Sequence, residues 1–318
     1  MTLFAMLFPG QGSQYVGMLS SFFYKNNRII QDTFKEASEH IHVNLFELIQ
    51  NGPKFKLNQS KYAQVAILTA SVSIYRLWNN KNGISPSFML GHSLGEYSAL
   101  VCANSIKFSD ALKIVFLRGQ LMEEATINRP TSMQAIIGIN KEQVETACLT
   151  KSKKKIVSLA SINSYNQIVI SGDKSAVYNA SVNCKKLGAK YIFKLNTNIP
   201  AHSKILKPIS EKLKTILKTV TINPPKVPVI NNVDVRSENT SKKIKNALIR
   251  QIYSTVRWKE IIESVKLKKI FIMLEIGPKK ILTNLNQKDK SISSFNTYNL
   301  KNFLISFKQI NIGTNEKK

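Results

Sequence analysis

Ser87-Phe88-Met89-Leu90 runs directly into Gly91-His92-Ser93-Leu94-Gly95, and a helical pattern begins at Glu96. A short β-rich run, a Gly-x-Ser-x-Gly turn and a helix form the context in which this motif lifts a serine hydroxyl above the edge of a parallel sheet. The flanking glycines are read as allowing the tight turn. The helix that follows aims its positive end at the site. Ser93 is therefore the candidate nucleophile; a turn chosen only for its glycines is the alternative that the context argues against.

The same rhythm extends outward on both sides. Thr2–Phe8 predicts a buried strand ending in the turn Pro9-Gly10-Gln11-Gly12-Ser13. Residues 59–78 predict a helix, and Ser109-Asp110 is expected to cap another that continues to about Ala125. Strand–turn–helix repetition implies a parallel sheet with covering helices. The middle of the chain changes rhythm. Strands are expected at Met133–Ile139, Ile156–Ser161, Gln167–Ser171 and Lys190–Leu195, with helices at Lys141–Lys151 and Ser175–Leu187. That order, β-α-β-β-α-β, is the split unit of ferredoxin-like domains. The α/β pattern then resumes with helix 203–219, strand Val227–Ile230, helix Lys242–Ser254, strand Lys269–Glu275 and helix Lys279–Leu285. The expected fold is α/β: a discontinuous parallel-sheet subdomain, 1–127 and 198–318, with a ferredoxin-like subdomain, 128–197, inserted in it.

Composition narrows the function. The chain has 318 residues, 43% of them hydrophobic, which fits a globular protein of about two domains. No uninterrupted apolar run approaches the roughly 18 residues of a membrane span. No Lys or Arg precedes the apolar Thr2–Phe8, so a secretory signal is not expected. Cys102, Cys148 and Cys184 lack CxxC spacing, and the four histidines show no ligand pattern; a reducing cytoplasm and no metal are expected. Lys and Arg number 46 against 19 Asp and Glu, a net charge of +27. An anionic partner is one reading of that excess. Compositional drift is the other, because the lysines are dispersed, with only short clusters at Lys153–Lys155, Lys242–Lys245 and Lys266–Lys269. No aromatic-interleaved basic tract points to nucleic acid.

A serine nucleophile needs a base. His92 is adjacent in a sharp turn, where packing is the expected role. His202 opens the expected 203–219 helix, whose N-terminus would disfavour imidazolium and keep the ring able to accept a proton; a polar cap is the alternative. Asp234 and Glu275 follow strands, but neither sits in a specific motif. No triad carboxylate is assigned, and a backbone carbonyl could orient His202 instead. Arg118 falls in the apolar stripe Ala111, Ile114, Val115, Leu121, Met122, Ala125. A charge directed inward needs a partner, either a protein carboxylate or a substrate anion. The planar guanidinium suits a carboxylate. Gln251 lies on the stripe of Ile244, Ala247, Leu248 and Ile252 and is expected to be buried and hydrogen-bonded. The Gly10–Ser13 turn lacks a phosphate-loop lysine. Backbone N–H groups facing a reacting oxygen are its better reading.

Taken together, Phe8-Pro9-Gly10-Gln11-Gly12-Ser13-Gln14, Gly91-His92-Ser93-Leu94-Gly95-Glu96-Tyr97, Arg118-Gly119, Asn231-Asn232-Val233-Asp234, Arg250-Gln251 and Glu275-Ile276-Gly277-Pro278 resemble malonyl-CoA–acyl carrier protein transacylases, over about residues 1–285. The likeness is to the free-standing bacterial type of fatty acid synthesis. It implies that Ser93 takes malonyl from coenzyme A and that His202 is the base, held by a main-chain carbonyl near Gln251. It also implies an oxyanion hole made by the backbone N–H groups of Gln11 and Leu94, and pairing of Arg118 with the malonyl carboxylate. Malonyl-CoA and acyl carrier protein are the implied partners, with no metal or redox cofactor and a cytoplasmic setting. A hydrolase using water as acceptor is the competing reading. A general esterase has no need of a cation in an apolar stripe. A degenerate carrier-binding protein is opposed by the intact Ser93, His202 and Arg118. Ala201, the Ser161–Asn166 stretch and Lys279 depart from the family pattern.

Overall fold

The computed structural model describes residues 2–24, 27–149 and 154–312. Lys153 of the Lys153–Lys155 cluster and the end of the helix expected over Lys141–Lys151 lie outside them. Among the described residues nine strands form: β1 (Phe4–Phe8), β2 (Phe88–Gly91), β3 (Thr131–Ile137), β4 (Val157–Ser164), β5 (Gln167–Asp173), β6 (Tyr191–Lys194), β7 (Val229–Ile230), β8 (Ile272–Glu275) and β9 (Ser293–Asn296).

Two sheets result. The first runs β7-β2-β1-β8-β9, with every neighbouring pair parallel. β1 is buried along its whole length, as a central strand covered on both faces by helices must be. The second sheet, β4-β5-β3-β6, is antiparallel and is formed entirely by residues between β2 and β7. Helices Lys141–Ala147 and Lys174–Lys186 pack on it around Ile136, Ile168, Ile170 and Val177. The fold is thus the expected α/β architecture with a ferredoxin-like insertion.

The parallel register places the site. Phe8 lies opposite Gly91, and Leu7 lies opposite Glu275. The turns after β1, β2 and β8 therefore leave the sheet at one edge, outside the carboxyl ends of the strands, where open α/β sheets bind ligands. They are packed tightly. A Cβ on Gly95 would stand 1.9 Å from Phe8 O, and one on Gly277 would stand 2.4 Å from Pro9 Cγ.

Behind this edge lies helix Ser60–Asn80, buried on nearly all sides, against helix Phe108–Glu124. A Cβ on Gly119 would meet Lys61 N at 2.4 Å, so the two helices approach backbone to backbone. Helix Phe108–Glu124 starts one residue before the expected cap. Its N-cap is Lys107, and Asp110 sits in the first turn, where a carboxylate still favours the helix N-terminus.

The expected 203–219 helix is broken. Lys204–Leu206 forms one 3₁₀ turn, and an α-helix resumes at Ser210–Thr219. Pro208 lies between them and lacks the N–H that a continuous helix requires. No described helix is long and apolar enough to cross a membrane.

Candidate active site

The turn after β2 carries Ser93 at φ 54°, a left-handed conformation uncommon for a residue with a side chain. The flanking glycines do not carry that dihedral. They are needed because a Cβ on Gly91 would lie 2.1 Å from Gly95 C and Glu96 N. The strained turn is held from both sides. Ser93 N–H donates to Asn232 Oδ1 at 2.7 Å, and Gln251 Nε2 donates to Ser93 O at 3.0 Å. Asn232 Nδ2 also donates to Gly91 O at 2.6 Å.

Ser93 Oγ stands 2.7 Å from His202 Nε2. On the other side of the ring, Nδ1 faces Gln251 O at 2.8 Å and Ser254 O at 3.2 Å. Both of these oxygens only accept, so Nδ1 carries the proton and Nε2 offers its lone pair to the serine hydroxyl. Among the described residues no carboxylate holds the imidazole. Asp234 instead forms a two-point ion pair with Arg250, at 2.9 and 2.5 Å. Glu275 is buried and accepts from the backbone of Ile281, Leu282 and Thr283, capping helix Ile281–Asn286.

His202 does not open a helix. It sits at φ 60° just before the 3₁₀ turn, which Ser203 caps. Its neutrality has another source. Burial, and then the charge of Arg118, push its pKa down to about 3. His92 packs as expected: its ring lies 5.4 Å from Trp258, and Nε2 meets Asn163 Oδ1 of β4 at 2.9 Å.

Arg118 is buried. Nη1 donates to Gln64 Oε1 at 2.8 Å, and Nη2 reaches Ser93 Oγ and Gln251 Oε1, both at 3.3 Å. The guanidinium carbon lies 5.6 Å from the Tyr97 ring centroid. Among the described residues no carboxylate forms an ion pair with Arg118; Glu96 acts on it only at longer range. Its Nε has no hydrogen-bond partner among the described residues.

Gln251 is the last residue of helix Ser241–Gln251 and, as expected, is buried and fully engaged. Gln11 sits in the turn after β1, where its side chain bonds Ser60 Oγ at 2.8 Å. Leu94 follows the serine as N-cap of helix Gly95–Cys102. The main-chain N–H groups of Gln11 and Leu94 donate to no described backbone carbonyl.

Three buried polar residues of the site were given no role by the sequence reading: Gln64, which it did not single out, and Asn232 and Glu96, which it quoted only as parts of motifs. Gln64 is flanked by Ala63, Val65, Ala66, Ile67 and Leu68, and its polarity in that apolar run was the available signal. Glu96 Oε2 accepts from Asn232 N at 2.9 Å and from Gln251 Nε2 at 2.8 Å; burial pushes its pKa up to about 7. No group of three His, Cys, Asp or Glu side chains among the described residues is placed to hold a metal ion.

A serine hydroxyl within hydrogen-bond reach of an imidazole held by main-chain carbonyls, above the carboxyl edge of a parallel sheet, is an arrangement suited to acyl-transfer chemistry. Residues 5–300 match the family model of the acyl transferase domain, and the chain belongs to that family. Among relatives, it is 60% identical over 310 residues to the malonyl CoA-acyl carrier protein transacylase of Buchnera aphidicola subsp. Schizaphis graminum, covering 98% of this chain and 100% of that one. Among solved structures, an acyl carrier protein S-malonyltransferase from Vibrio cholerae superposes with a TM-score of 0.92 at 42% identity, over 96% of this chain and 99% of that one. A malonyl-transacylase solved in complex with its type II polyketide synthase acyl-carrier protein gives a TM-score of 0.94 at 40% identity, over 97% and 100%.

Proposed function

We propose that this chain moves malonyl from malonyl-CoA to the phosphopantetheine thiol of acyl carrier protein, supplying malonyl-carrier for fatty acid synthesis. One observation carries the assignment of roles. Ser93 Oγ lies within hydrogen-bond reach of both His202 Nε2 and the guanidinium of Arg118, a buried cation without a paired carboxylate among the described residues. An acyl group bearing its own carboxylate supplies the missing anion.

The chemistry balances in two half-reactions. Ser93 gives its proton to His202 Nε2 as Oγ bonds the thioester carbonyl carbon. The main-chain N–H groups of Gln11 and Leu94 are the proposed donors to the oxyanion. The C–S bond breaks, and the coenzyme A sulfur takes the proton from His202. The carrier thiol then passes its proton to His202 and attacks the malonyl ester. Ser93 leaves and recovers the proton. Every step uses side chains and main-chain groups, and no metal or redox cofactor enters. The bound malonyl carboxylate also offsets the Arg118 charge, one cause of the low His202 pKa, so the substrate makes its own base stronger. We assign residues 1–127 and 198–318 to the catalytic subdomain and 128–197 to the smaller one, and infer a cytoplasmic setting.

Incubation with labelled malonyl-CoA alone tests the assignment. The wild-type protein retains label through denaturation as a malonyl-serine, and Ser93→Ala retains none. Label retained by Ser93→Ala, or release of free malonate in place of carrier acylation, overturns it.

A further inference from the structure

We propose that Glu96 is a positioning residue of the transfer reaction: one buried carboxylate oxygen joins the support of the nucleophile to the residue that orients the base. The inference rests on the roles given above to Ser93 and His202. Asn232 follows β7 and holds the nucleophile turn through Ser93 N–H and Gly91 O. Gln251 ends a different segment, orients His202 Nδ1 with its carbonyl and holds Ser93 O with its side chain. The Asn232 N–H and the Gln251 amide converge on Glu96 Oε2, at 2.9 and 2.8 Å.

A residue held only to cap its own helix would bond the N–H groups of that helix. Glu96 is the second residue of helix Gly95–Cys102, yet its carboxylate bonds go to Asn232 and Gln251. Burying a carboxyl group there is costly, and such a group persists where its bonds are needed. The strained φ of Ser93 likewise persists only if its surroundings over-determine it. Glu96 joins the two residues that do so. Both donors meet a single oxygen, so an amide oxygen in the same place can accept both.

The experiment compares Glu96→Ala and Glu96→Gln with wild type. Its readouts are the kcat and KM of enzyme loading by malonyl-CoA and by acetyl-CoA, the rate at which a fluorophosphonate labels Ser93, and Tm. In Glu96→Ala, kcat for both acyl groups and the labelling rate fall together, by about a hundredfold for two lost buried hydrogen bonds. KM moves by less than about threefold, well under the change in kcat. Glu96→Gln recovers about tenfold or more of the loss.

If Glu96→Ala does not fold, Glu96→Asp, too short to reach both donors, takes its place with the same expectation. Three outcomes overturn the proposal: Glu96→Gln as slow as Glu96→Ala or its Glu96→Asp replacement, a loss confined to malonyl-CoA, which would make Glu96 only the counter-charge of Arg118, or a change in KM alone. Labelling of a Ser93→Ala control would instead remove the nucleophile assignment, whatever Glu96 does.

Discussion

At the residue scale we propose that Arg118 sets what the site accepts. It is buried, and its hydrogen bonds end on the neutral oxygens of Gln64, Ser93 and Gln251. A structural ion pair would have shown a carboxylate at one of these positions. Arg118→Ala should therefore lower kcat/KM for malonyl-CoA by about a hundredfold or more, the usual cost of removing one partner of a buried charge pair. Acetyl-CoA brings no carboxylate, so its slow turnover should fall far less and the malonyl preference should collapse. The two kcat/KM values, read beside Tm, check this. A folded variant with its preference intact would leave substrate choice without a physical basis.

Close approach between elements sets where Arg118 points. Its helix crosses Ser60–Asn80 at Gly119, where an added Cβ would lie 2.4 Å from Lys61 N and 2.5 Å from Ser60 C. These are backbone atoms and cannot swing aside. Gly119→Ala should force the helices apart at a cost of about 1–3 kcal/mol, the range for overpacked interiors. Tm should drop by several degrees, and malonyl turnover should fall with it because Arg118 and Gln64 lose register. Thermal unfolding and malonyl loading measured on the same sample test this; an unchanged Tm would mean that the helices yield freely. The turns at the sheet edge are interlocked in the same way. Lys279, one of the departures from the family pattern, donates from Nζ to Gly12 O at 3.3 Å and ties the turn after β8 to that after β1.

At the scale of the whole molecule, buried titratable groups shape stability against pH. Burial raises Glu96 and Glu275 from 4.5 to about 7. Unfolded, both ionise from about 4.5, so the unfolded state gains as pH rises from about 4.5 to 7, and the effect levels off above 7, where both states are ionised. His202 has the opposite sign: pushed down to about 3, it costs stability as pH falls below the unfolded value of 6.5. Above 6.5 it is neutral in both states and drops out. Stability, and with it Tm, should thus peak well on the acid side of neutrality, fall up to about pH 7 and level off above it, each carboxylate contributing about 1 kcal/mol of the fall between pH 6 and 7. Glu275→Gln should flatten that fall even while lowering Tm throughout; an equal slope in the variant would refute the assignment. The net charge of +27 acts at longer range. Carrier proteins of this chemistry are expected to be acidic, so kcat/KM for the carrier should decline with ionic strength, as steered encounters do. A flat profile would mark the lysines as compositional drift.

Eight of the nine described strands, the turn at Ser93 and the inward Arg118 were legible in the sequence, because each is written in local periodicity, whereas helices Arg28–Ile41, Leu45–Asn51 and Trp258–Lys266 were not read. An apolar run before Gly91, a helical stripe interrupted by one cation and a β-α-β-β-α-β rhythm need no distant contact to be read. Ser93 and His202, 109 residues apart, meet as the motifs suggested. Other features came only from the tertiary structure. The neutral state of His202 follows from burial and a neighbouring charge rather than from a helix end. Glu96 gathers Asn232 and Gln251 from 136 and 155 residues away. β9 and helix Leu300–Ile312 complete the sheet edge from a stretch without clear local pattern. Periodicity is a property of neighbours along the chain and survives in one dimension. Desolvation, charge and hydrogen-bond convergence depend on which segments fold against one another, and only the packed molecule decides that.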